Sequence, residues 1–398
     1  MGKHIFLLCL ALTLFLTGCV DNSSDAEKQN VNISSGAAAE AIVELAPVTL
    51  KLAPEDRSQA LSIQSFVETP EGCYYGMEKP VGSDIGAFIY FCPRGGNAFY
   101  PLCSKPNCKH QDKDCNAYYN GSCFGYFDGA LYAVNDGMGK LDVIKMNLDG
   151  TDHQVVASLK LRQMGGYEYA FHHGRLYLRS NNTFLPGYKE LPDYLIVIDL
   201  SDASQTEPLA EYLQTEKLPA YFDWYYKDKM FGWGGQNDPT LTEVDLSTGE
   251  VLKRELGNFI GFYATDSTLY YFLEEEDGSK GEKSKIEPGF WEYDLESGTA
   301  TYRGLPLEGI SFVAYDGDYI YAEAKQENSD AAPVLYILSR EYELLDSVAL
   351  EIDLSLAAAA SDRLYFYDVE SMDLINFYLN KSQIGSGKLK LIPIETVG

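Results

Sequence analysis

One turn-and-strand unit recurs seven times along this 398-residue chain, and no other feature limits the fold as much. A polar turn leads into an alternating apolar strand that carries an aromatic residue at a fixed place. The copies are Glu71-Gly72-Cys73-Tyr74-Tyr75, Asp128-Gly129-Ala130-Leu131-Tyr132, His173-Gly174-Arg175-Leu176-Tyr177 and Lys227-Asp228-Lys229-Met230-Phe231. They continue as Asp266-Ser267-Thr268-Leu269-Tyr270, Asp316-Gly317-Asp318-Tyr319-Ile320-Tyr321 and Ser361-Asp362-Arg363-Leu364-Tyr365. The aromatic positions 74, 132, 177, 231, 270, 321 and 365 stand 58, 45, 54, 39, 51 and 44 residues apart, the spacing of propeller blades.

A second element, strand, polar turn, strand, follows the first. Examples are Val143–Gly150 before His153–Leu159, Leu195–Leu200 before Glu207–Leu213, Val244–Gly249 before Glu250–Leu256 and Trp291–Gly298 before Thr299–Leu305. Asx-Gly and Ser/Thr-Gly pairs supply the positive φ that tight hairpins need, so each unit reads as a four-stranded antiparallel blade. Stretches at helical period are nearly absent. The pattern predicts an all-β chain, a β-propeller of seven four-stranded blades spanning residues 47–398, because blades packed in a ring bury faces that one blade leaves exposed.

What precedes the repeats reads differently. Lys3 and His4 stand before an apolar run from Ile5 to Leu16, the length of a signal-peptide core and too short to span a bilayer. The run ends in Leu16-Thr17-Gly18-Cys19, which resembles a bacterial lipobox. The resemblance implies removal of residues 1–18 and lipid attachment, palmitate included, at Cys19, leaving the protein anchored to the outer face of the cell membrane. Residues 19–46 are polar and lack aromatic residues, and read as a flexible tether that holds the body on the order of 30 Å from the lipid.

Charge narrows the partners. Cleavage leaves 30 basic against 59 acidic residues with no basic run, which excludes a phosphate-binding surface, so nucleic acid is not an expected partner. An anionic lipid surface repels such a chain, and the acyl chains must hold it there. Acidic stretches such as Glu274-Glu275-Glu276-Asp277 lack the ligand alternation and central Gly of a calcium loop and read as solvated surface.

The turn Met146-Asn147-Leu148-Asp149-Gly150 resembles the repeat of TolB-like propellers, and Asp245-Leu246-Ser247-Thr248-Gly249-Glu250-Val251-Leu252 resembles a quinoprotein-type repeat. The tryptophan that locks quinoprotein blades is missing after Leu252, so no quinone cofactor is implied. The chain as a whole resembles propeller lipoproteins of Gram-positive bacteria, most distinctively over Leu102-Cys103-Ser104-Lys105-Pro106-Asn107-Cys108-Lys109-His110 and Asp114-Cys115-Asn116-Ala117-Tyr118. That resemblance implies location and fold; it carries no activity.

Six cysteines lie beyond Cys9 and Cys19: Cys73, Cys92, Cys103, Cys108, Cys115 and Cys123. Cys73 and Cys92 fall on the second and third strands of the first blade, neighbours that a disulfide can join. The other four gather between the first two blades, where Cys103, Cys108, His110 and Cys115 form C-x4-C-x-H-x4-C. Three sulfurs and one imidazole can close a tetrahedral site for a structural zinc ion, an exported location favours disulfides among the same thiols, and free thiols are the third alternative. Either of the first two makes the loop a clasp rather than a catalytic centre.

No catalytic motif is present: no G-x-S-x-G elbow, no H-E-x-x-H and no phosphate-cradling glycine loop. His172-His173 falls at a strand-to-strand turn with its rings on opposite faces. The acids are too numerous to single out a glycosidase pair. Of the 52 aromatic residues most sit where strands pack, and those outside the pattern are Tyr118-Tyr119, Trp224-Tyr225-Tyr226 and Trp233 beside Gly232, Gly234 and Gly235, expected on loops lining a propeller mouth. Two functions remain open: a non-catalytic surface module that binds an envelope protein or glycan, and a carbohydrate-active hydrolase or lyase with its site at the mouth.

Overall fold

The structure, a computed structural model, describes residues 66–397 apart from short internal segments, the longest being 274–288 and 181–192. The signal peptide, Cys19, the tether, Glu274–Asp277, His173, Gly234 and Gly235 lie outside the described residues. No helix among the described residues is long and apolar enough to cross a membrane.

The chain is all-β. Sheet one contains β1 (Phe66–Glu68), β2 (Gly72–Val81), β3 (Asp84–Pro93), β4 (Ala98–Pro101) and the short β5 (Tyr118–Tyr119). Sheet two contains β6 (Phe124–Phe127), β7 (Ala130–Gly137), β8 (Lys140–Met146) and β9 (Gln154–Lys160). Five further four-stranded sheets follow over 167–215, 221–255, 259–304, 310–349 and 354–393. Within each, successive strands pair antiparallel in chain order. Sheet one departs from the expected four strands: β5 adds to β3, and the C-terminal strand Glu395–Thr396 runs parallel along β4.

The repeated aromatic residue explains how these sheets pack. Tyr74, Tyr132, Tyr177, Phe231, Tyr270, Tyr321 and Tyr365 each lie on the second strand of their sheet, and none is more than 8% exposed. Side chains stand perpendicular to a sheet, so the burial of these rings means that the faces carrying them are covered. Buried clusters accordingly run from sheet to sheet. One joins sheets seven, one and two; others join two with three, four with five, five with six, and six with seven. The first strands of sheets one and two, and of five and six, lie side by side. Successive meanders whose faces pack on the next sheet make a β-propeller.

The hairpin turns follow their sequence chemistry. Gly150, at φ +75°, closes the β8–β9 turn by donating to Asn147 O at 2.9 Å, and Asp149 Oδ1 accepts from the Thr151 N–H at 3.0 Å. In sheet four the Asp245 carboxylate accepts from the Thr248 N–H at 2.9 Å.

The aromatic groups expected on loops are instead in strands. Tyr118-Tyr119 form β5, with Tyr119 buried and Tyr118 edge-on to Phe88 at 5.6 Å between centroids. Trp224-Tyr225-Tyr226 end the first strand of sheet four, Tyr221–Tyr226, and Trp233 ends its second, Lys229–Trp233. Strand propensity accounts for aromatic runs of this kind without a ligand.

Candidate metal centre

The cysteine-rich loop is an excursion from one edge of β3. That edge pairs with β4 through Phe91 and Tyr90 opposite Tyr100 and Pro101, and with β5 through Phe88 and Ala87 opposite Tyr118 and Tyr119. Residue Ile89, between them, holds both ends of the loop: its N–H donates to Ala117 O, and its carbonyl accepts from the Leu102 N–H, each at 2.8 Å. Residues 103–116 are thus pinched at a neck and project from a ladder that resumes on the other side.

Three tight turns fold the loop. Cys108 N–H donates to Lys105 O at 3.3 Å, with Pro106 next in the turn and Asn107 at φ +62°, the arrangement of a type II turn. Cys115 N–H donates to Asp112 O at 3.2 Å, and Tyr118 N–H to Cys115 O at 3.1 Å. Lys105 Nζ donates to Asp114 O and ties the first turn to the second. His110 has φ +52°, a left-handed conformation that costs a β-carbon-bearing residue about 1 kcal/mol or more, which the surrounding loop must offset.

These turns bring Cys103, Cys108, His110 and Cys115 together, with their ligand atoms all within 4.8 Å of one another. His110 Nδ1 lies 3.5 Å from Cys115 Sγ. Cys115 is buried, and the other three are half-buried. The sulfurs are not equivalent. Burial opposes ionisation of Cys103, but the backbone N–H groups of Lys105 and Asn116 and the neighbouring thiols of Cys115 and Cys108 point at its sulfur and hold its pKa below the ordinary value. Cys115 is pushed up to about 12, first by burial and then by its hydrogen bonds to the other two sulfurs, against the Ala117 N–H. The Cys103 and Cys115 sulfurs are thus shifted in opposite directions within one cluster.

The remaining cysteines stand apart. Cys73 and Cys92 are opposite each other on β2 and β3, as expected, yet both are buried free thiols. Cys123, grouped by sequence with the loop, belongs to the core between sheets two and three. No disulfide joins any of the six among the described residues. What the sequence left open between sulfur pairing and a ligand set is, in the structure, a Cys3His cluster able to hold a metal ion.

The neck also touches sheet two. A Cβ added at Gly150 would come within 2.3 Å of Leu102 O, and Tyr74 Oη donates to Leu148 O at 3.0 Å, so the β8–β9 turn rests against the base of the loop.

No family model matches this chain, and no curated protein does. Solved structures do resemble it. BamB from Moraxella catarrhalis is 12% identical with a TM-score of 0.38, covering 80% of this chain and 97% of that one. The β-propeller domain of the Trilobed protease from Pyrococcus furiosus is 12% identical with a TM-score of 0.45, covering 81% and 93%. The Pan2 WD40 domain of Neurospora crassa is 11% identical with a TM-score of 0.43, covering 80% and 90%. Likeness at this level concerns fold alone, and the propeller assignment rests on the sheets and cores described above.

Proposed function

We propose that this chain is a lipid-anchored extracytoplasmic propeller of seven blades that binds an envelope protein or glycan and performs no catalysis. One observation carries the non-catalytic part: among the described residues, four buried or partly buried carboxylates are each held by a cation of the framework. Glu243 faces Lys229 at 2.5 Å and Arg254 at 3.7 Å. Glu292 takes Arg303 at 2.6 Å and the Tyr342 hydroxyl at 2.9 Å. Asp316 holds Lys381 at 2.5 Å, and Glu68 holds Arg94 at 3.1 Å. Carboxylates so held are engaged by framework cations rather than presented free to a substrate. The Cys3His cluster offers four protein ligands, which leaves no open coordination position for a substrate.

Anchoring rests on the lipobox and the blade number on the seven repeats. The test of function uses detergent-solubilised full chain on two arms. Saturable binding to one class of purified envelope glycan or to a cross-linked envelope protein, with no turnover on a polysaccharide panel, supports the reading. Release of reducing ends or unsaturated sugars by the purified chain, abolished by a single carboxylate substitution, overturns it in favour of a carbohydrate-active enzyme.

A further inference from the structure

We infer that Cys103, Cys108, His110 and Cys115 bind one zinc ion tetrahedrally, with His110 as a ligand through Nδ1, and that this ion fixes the loop on the edge of sheet one. The proposal is independent of which partner the propeller binds.

Geometry separates the metal from the alternatives. Zinc–sulfur bonds of about 2.3 Å and zinc–nitrogen bonds of about 2.0–2.1 Å at tetrahedral angles put sulfur and nitrogen roughly 3.6 Å apart across one edge. The His110 Nδ1 to Cys115 Sγ separation is 3.5 Å. A disulfide needs two sulfurs at about 2.05 Å and would leave the third sulfur and the imidazole without a reason to converge. Among the other described thiols, Cys123 is sequestered in another core and Cys73 and Cys92 face each other across β2 and β3, each of the three a free thiol. All four ligand atoms lie within 4.8 Å of one another, the proximity that a shared central ion requires.

Backbone geometry agrees. The N–H of Lys105, two residues after Cys103, and the N–H of Ala117, two residues after Cys115, both point at the preceding sulfur. Such N–H···S bonds spread the surplus negative charge of a three-thiolate site and fix the direction of each sulfur, as hydrogen bonds to metal ligands commonly do. The left-handed backbone at His110 turns its ring inward, a local cost that a metal bond offsets readily. Soft thiolates together with one imidazole select zinc over magnesium or calcium, and the closed set makes the ion structural. Binding displaces the thiol protons to solvent, so retention weakens in acid.

The experiment is native mass spectrometry of the full chain, purified in detergent without added metal or chelator. The expected result is about one zinc per chain, with Cys103, Cys108 and Cys115 shielded from alkylation until a chelator is added. Cobalt exchanged into the same protein should show thiolate-to-cobalt charge transfer and the strong visible absorption of tetrahedral cobalt. His110→Ala should weaken zinc retention at least tenfold, His110→Cys should restore it, and the imidazole nitrogen shifts of bound protein should report Nδ1 as the ligand. A metal-free wild-type chain whose mass is lower by the hydrogens of a disulfide overturns the proposal. So does undiminished zinc in Cys108→Ser with Cys115→Ser, or coordination through Nε2. The wild-type measurement decides even where a variant fails to fold.

Discussion

At the scale of single residues, the interior ion pair between Asp316 and Lys381 shows what the linear chain conceals. Asp316 sits in the turn between the first two strands of sheet six, where its Oδ1 accepts the N–H groups of Asp318 and Tyr319, both at 2.9 Å. Its Oδ2 takes Lys381 Nζ at 2.5 Å and the Tyr321 hydroxyl, and the side chains of Asp316 and Lys381 are 3% and 9% exposed. Lys381 follows the third strand of sheet seven, so the pair spans two sheets. Lys381→Ala strands a buried carboxylate and should cost about 3–5 kcal/mol, measured by urea unfolding; Asp316→Asn with Lys381→Met, which removes both charges and keeps an acceptor for the Asp318 and Tyr319 N–H groups, should recover much of that loss. A double variant no better than the single one would show that the pair stabilises in its own right. The repeat marks Asp316 as a turn residue, but nothing in the sequence pairs it with Lys381, whereas the Cys3His ligands are legible because scarce residue types cluster within one short stretch. The buried thiols make a second residue-scale prediction. Burial, partly opposed by a hydrogen bond with Tyr365, pushes Cys73 from an ordinary 9.0 up to about 12. The unfolded chain therefore ionises this thiol first, and its contribution to stability, complete below about pH 9, is lost as pH rises toward 12. Thermal melts across that range should fall less steeply for Cys73→Ala than for wild type.

At the scale of elements, turn chemistry and the second strands were readable because each depends on a few local residues. The Asp149-Gly150 turn and the seven aromatic strands lie where local pattern places them. Phe231 is 0% exposed on the second strand of sheet four, and Phe231→Ala should cost about 3–5 kcal/mol, since the removed ring leaves a cavity between sheets four and five. Gly150→Ala should also destabilise the fold, because φ +75° disfavours any β-carbon and the added carbon would strike Leu102 O at 2.3 Å. β4, β5 and the C-terminal strand escaped the sequence reading for a physical reason. Two to four residues are too few to display a period, and their pairing is decided by which edge remains free on β3 and β4. Chelation offers an element-scale test of the loop. If the ion holds the neck, its removal should speed amide exchange at Ile89 and Leu102, whose hydrogen bonds close that neck, and leave sheets four to six unchanged. Uniform acceleration, or none, would assign the loop no such role.

At the scale of the whole molecule, the long interval of 58 residues between the first two aromatic positions has a local cause, since the excursion over 103–116 is inserted into sheet one while the meander continues on either side. The repeat therefore revealed the architecture although its spacing is uneven. It did not reveal how the first sheet meets the last, which depends on residues far apart in the chain. Glu68 is the centre of that seam: it takes Arg94 at 3.1 Å and the Ser361 N–H at 2.8 Å, while Arg94 Nη1 donates to Ser361 Oγ at 3.1 Å. Arg363 Nη1 donates to Gly96 O at 2.5 Å. The final residues then return to sheet one, with Glu395 and Thr396 beside Ala98 and Phe99, Val397 N–H donating to Phe99 O at 2.8 Å, and Ile394 buried in the cluster shared by sheets seven, one and two. The salt bridge is partly exposed and contributes little by itself, whereas Ile394 is 5% exposed and its truncation to Ala removes about 2–5 kcal/mol. Ile394→Ala should thus lower the unfolding midpoint more than Arg94→Ala, and deleting residues 394–398 should lower it further. Amide exchange should show where the loss falls: with the C-terminal strand gone, sheets one and seven should open before sheets four and five. A truncated chain that melts at the wild-type temperature, or loses protection evenly in all sheets, would mean that the seam is held by the Glu68 network and the shared core without help from the chain terminus.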